Sequence, residues 1–61
     1  MRNYKAYILG EDGQIIDRVD LVCFDDETAK DKARKLAIGQ PVELWDGARK
    51  IAIFQASHPD R

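Results

Sequence analysis

The chain has one cysteine, Cys23, and one histidine, His58, in 61 residues. A lone cysteine excludes an internal disulfide. One Cys and one His fall short of the four ligands of a structural zinc site. Glycine occurs four times and proline twice. Each glycine sits where a turn or a helix exit needs it, so neither a P-loop nor a dinucleotide-binding glycine fingerprint is present. No apolar run approaches the roughly 18 residues of a membrane helix. The start, Met1-Arg2-Asn3-Tyr4-Lys5, has no apolar signal-peptide core. The expectation is a cytoplasmic protein with a reduced thiol. Charge of one sign is also lacking, with 10 Lys+Arg against 11 Asp+Glu. That balance argues against affinity built on phosphate contacts. No Ser-His-Asp set is assembled by any evident spacing, and His58 stands in a polar tail. The expectation is therefore no enzyme, no cofactor and no metal.

What is present is one helix between strands. The stretch from about Asp26 to Ile38 opens on Asp25, Asp26 and Glu27, which supply a capping side chain and favour the positive end of the helix dipole. Gly39 offers a left-handed exit and Pro41 blocks continuation. Ala29, Ala33, Leu36 and Ala37 share one face, and their small size predicts close packing on a sheet. Asp26–Lys30, Asp31–Lys35, Glu27–Lys30 and Asp31–Arg34 are spaced to pair on the solvent face. Ile38 lies opposite the alanine stripe.

Tyr4–Leu9 reads as the first strand, with Tyr4, Ala6 and Ile8 on one face. Gly10-Glu11-Asp12-Gly13 is a hairpin turn. A second strand runs from Gln14 to Phe24. Its alternation is broken, either by a bulge near Asp17-Arg18 or because its end is covered on both sides. Pro41–Trp45 and Lys50–Gln55 are the third and fourth strands, joined by Asp46-Gly47-Ala48-Arg49. The tail from 56 to 61 is polar, and the ordered core is expected at about 3–55. Cys23 reads as a small buried hydrophobe. The fold class is α+β, in the order β-β-α-β-β, as a single domain. The strand order 2-1-3-4 makes every neighbouring pair antiparallel, whereas 1-2-3-4 places a parallel pair in the centre. The first is the expectation taken.

One helix covers one face of a four-stranded sheet. Yet large apolar residues fall on both faces of the strands. Tyr7, Leu9, Val22, Trp45 and Phe54 are the candidate interface residues. An exposed patch of that size marks a contact surface. The expected function is non-enzymatic protein–protein interaction, with a homodimer through the uncovered face or edge and a regulatory role. The alternative is nucleic-acid binding by stacking of bases on these aromatics.

Three fragments carry a resemblance: Tyr4 to Leu9 running into Gly10-Glu11-Asp12-Gly13; Asp20 to Glu27 running into the alanine-spaced helix; and Val42-Glu43-Leu44-Trp45-Asp46-Gly47. The chain resembles a group of short bacterial proteins of about this length and of uncharacterised role. That resemblance implies no site residue. The first forty residues or so are also similar to HicB-type antitoxins, in Asp20-Leu21 and Glu27-Thr28-Ala29. This similarity implies a partner-binding role. The chain lacks the glycine-rich third strand and the DNA-binding segment of that family.

Overall fold

The computed structural model describes residues 1–56, so His58 and the tail after Ala56 lie outside the described residues. The elements are β1 (Arg2–Leu9), β2 (Ile15–Cys23), α1 (Asp26–Leu36), β3 (Val42–Asp46) and β4 (Arg49–Phe54). They form one four-stranded sheet in the order β2-β1-β3-β4, with every neighbouring pair antiparallel. This is the expected α+β arrangement.

α1 lies on the face that carries Tyr4, Ala6, Val42 and Leu44. These four and Cys23 are buried against Ala29, Ala33 and Ala37. The alanine stripe thus does what its spacing predicts: without longer side chains, the helix backbone settles close to the sheet. Leu36, Val19, Leu21, Ile51 and Phe54 pack around this core.

Both hairpins contain a bulge. In the first, Ile8 pairs with Asp17 and Leu9 with Ile15, which leaves Ile16 unmatched. The irregularity lies nearer the turn than the sequence suggests. The outward side chains at the far end of β2 are uncovered, with Val22 and Phe24 both exposed. In the second hairpin, Leu44 pairs with Ala52 and Trp45 with Lys50, leaving Ile51 as the extra residue. A one-residue slip reverses which side chains face inward. Gly47, with φ of 62°, takes the first of two loop positions, where a type II′ hairpin needs positive φ.

The helix stops at Leu36, two residues before the expected Ile38. Ala37 closes it by donating its backbone N–H to the carbonyl of Arg34 at 3.1 Å. Gly39 does adopt a positive φ of 81°, but two residues beyond the cap.

A domain of this length draws no more than roughly 3–5 kcal/mol from a single core. Leu44→Ala should therefore remove about 2–5 kcal/mol, enough to unfold a large fraction of the protein. Ala33→Leu should cost about 1–3 kcal/mol by overpacking the helix–sheet seam. Urea titration followed by circular dichroism measures both.

Candidate functional site

Two clusters of polar and aromatic side chains stand out. The first closes the end of the molecule where α1 begins. Asp25 caps the helix, its side chain accepting from the Thr28 amide at 2.9 Å. Asp26, one residue on, accepts from the Tyr4 hydroxyl at 2.7 Å and faces Arg49 at 3.4 Å. Arg49 also reaches Asp46 at 3.0 Å, and Asp46 binds Arg2 at 2.7 Å. The Arg2 guanidinium lies 6.0 Å from the centre of the Tyr4 ring. The loop of contacts ties β1, α1, β3 and β4 together. It also explains why the expected Asp26–Lys30 pair does not form, while Glu27–Lys30, Asp31–Arg34 and Asp31–Lys35 do.

The electrostatics of this cluster are those of an anchor. Burial, then the hydrogen bond to Asp26, push the Tyr4 hydroxyl up to about 12. The same hydrogen bond, aided by Arg49, holds the Asp26 carboxyl below its ordinary range. The Thr28 amide does likewise for Asp25. Each of the three acids at the helix start has a partner within the chain. Among the described residues, no group of three or more His, Cys, Asp or Glu could hold a metal ion. No buried side-chain nitrogen or oxygen there lacks a hydrogen-bond partner.

The second cluster lies on the sheet face away from the helix. Residues directly opposite in a ladder share a face. Tyr7 stands beside Arg18 and Glu43, and Lys5 beside Asp20 and Trp45. The Tyr7 and Trp45 rings meet edge to face, with centroids 6.4 Å apart and planes at 81°. The Trp45 indole N–H donates to Glu43 Oε1 at 3.1 Å, which fixes the ring. Tyr7, Ile15, Glu43, Trp45 and Gly47 line a shallow groove of about 300 Å³. Charges of both signs surround it and pair with one another. Lys50 meets Glu43 at 3.4 Å, Arg18 meets Asp20 at 3.5 Å, and Lys5 meets Asp20 at 3.9 Å.

No protein-family model, curated protein or solved structure matches this chain.

Of the five candidate interface residues, the structure brings Tyr7 and Trp45 together at the groove. Val22 shares their face, opposite Asn3 in the ladder, and is 52% exposed. Leu9 adds no exposed surface, and Phe54 turns to the other face. Leu9 is buried at the mouth of the first hairpin, across from Ile15, and its amide bonds the Pro41 carbonyl at 2.9 Å. Phe54 lies opposite Val42 and packs on the helix-side core. The bulge at Ile51 is the reason: it turns Phe54 inward and Ile53 outward. Ile15 and Ile53 join the outer face in their stead, both exposed. The adjacent Ile15 and Ile16 were the signal for the first. Ile53 had no signal, because a bulge in a short hairpin leaves no mark in the alternation. Cys23 is buried in the core, as expected for a small hydrophobe.

The pH dependence of stability follows from these shifts. The folded-state pKa of Tyr4 lies above the ordinary value of about 10. Its contribution is therefore complete below about pH 10 and lost as pH rises toward about 12. Asp25 and Asp26 are shifted the other way, so theirs is complete above the ordinary carboxylate range and lost on acidification. In Tyr4→Phe, the urea midpoint should be lower at neutral pH and fall less steeply between pH 10 and 12. Parallel alkaline profiles for the two proteins would contradict this assignment.

Proposed function

We propose that this chain is a small non-enzymatic protein–protein interaction domain that works as a homodimer, using sheet surfaces its own helix leaves uncovered. The carrying observation is the aromatic face: a fixed Tyr7–Trp45 pair beside a groove, with Val22, Ile15 and Ile53 exposed around it. Tyr and Trp are enriched in protein interfaces. The charges on this face support a protein partner. Lys5, Arg18 and Lys50 already meet Asp20 or Glu43, so phosphate would have to displace a carboxylate at each. A surface with paired charges of both signs is suited to a protein of similar character, including a second copy.

Size supports the same reading. The molecule extends 35 × 26 × 14 Å. Its broad side has room for the roughly 800 Å² per partner of a standard interface. A domain this small also gains stability from association, since what binds only the folded state stabilises it.

Sedimentation equilibrium should give a concentration-dependent mass approaching twice the 7.0 kDa of the chain. Trp45 fluorescence should not respond to a short single-stranded oligonucleotide at low salt. A 7.0 kDa species throughout the micromolar range would overturn the dimer. Saturable quenching by the oligonucleotide would favour nucleic-acid binding instead.

A further inference from the structure

β2 is an edge strand of nine residues, paired only with β1. Exposed edges are templates for another strand, and charges are a common guard against such pairing. The charges of β2 are arranged differently from a guard. Asp17, Arg18 and Asp20 carry both signs, and their order is self-complementary in one register.

Consider a second β2 added antiparallel, about a two-fold axis perpendicular to the sheet. Residues opposite one another must then share a face, so only every second register is available. Centring the axis on Arg18, on Asp20 or on Asp17 sets like charges against themselves. Centring it on Val19 sets Arg18 against Asp20 of the partner subunit, twice by symmetry. The same register sets Ile16 against the partner's Val22. Both side chains are exposed in the single chain, at 55% and 52%. Val19 is also the midpoint of Ile15–Cys23, and the regular ladder runs from Asp17 to Leu21 before the bulge at Ile16 is met. The charges of the outer face select this register, while on the inner face it sets Asp17 against Leu21 of the partner subunit. The other edge offers no such match: β4 contributes Arg49 and Lys50, both positive, and no acid.

We infer that the homodimer forms by antiparallel pairing of β2 with β2, centred on Val19, joining the two sheets into one. This rests on the reading above that the chain is a homodimer, and it assigns the dimer contact to the β2 edge and the aromatic face to a partner protein. Both helices then lie on one side of the joined sheet. Both Tyr7–Trp45 grooves lie on the other and stay free for a partner protein.

The test is charge exchange read by sedimentation equilibrium, with circular dichroism confirming the fold. Arg18→Asp alone and Asp20→Arg alone each set like charges face to face. Each should weaken the dimer by roughly tenfold or more. Arg18→Asp and Asp20→Arg together restore opposite pairs and should return the dissociation constant to within about threefold of the original. A wild-type dimer that the single substitutions leave unchanged, or that the double substitution fails to rescue, would overturn the β2 register while leaving dimerisation standing. A wild-type chain that stays monomeric would overturn both.

Discussion

The structure depends on the hydrogen bond that Tyr4 donates to Asp26. Tyr4 is the largest fully buried side chain, and its hydroxyl ends at the first turn of the only described helix. A buried hydroxyl without a partner is costly, so the ring can fill the core only if an acceptor waits at its tip. Asp26 is that acceptor. The bond fixes where the helix begins over β1, and the alanine stripe sets how closely it lies. Arg49, Asp46 and Arg2 complete the loop and draw the second hairpin to the same point. One end of the molecule is thus held by polar contacts, and the middle by apolar packing.

A single helix of 11 residues buries one face of four strands. What remains is an aromatic face with paired charges and an edge strand nine residues long. The near balance of charge removes the long-range repulsion that would oppose two copies meeting. The same balance disfavours the polyanionic partners that an aromatic sheet otherwise suits.

The element order and the buried helix face were legible because each rests on a local signal, whereas the strand orders 2-1-3-4 and 1-2-3-4 differ in no local signal. Asp-Gly pairs marked the hairpins, acids marked the helix start, and alanines marked the buried stripe. The candidate face was legible only in part. Tyr7, Val22 and Trp45 lie on it as alternation from β1 implies. Phe54 does not, because the extra Ile51 resets the register of β4, and Leu9, opposite Ile15, is buried and adds no exposed surface. The pairing of Asp26 with Tyr4 was also hidden. It spans 22 residues, and the competing Lys30, four residues on, is the partner that local spacing suggests.

In the proposed dimer, a second copy completes the uncovered edge of β2. Amide hydrogen exchange across a dilution series tests it most directly. The β2 amides that point away from β1 should be protected at concentrations where the dimer forms and should lose protection on dilution, while those of β4 stay unchanged. Equal exchange of these β2 amides at every concentration, or concentration-dependent protection on β4 instead, would contradict it.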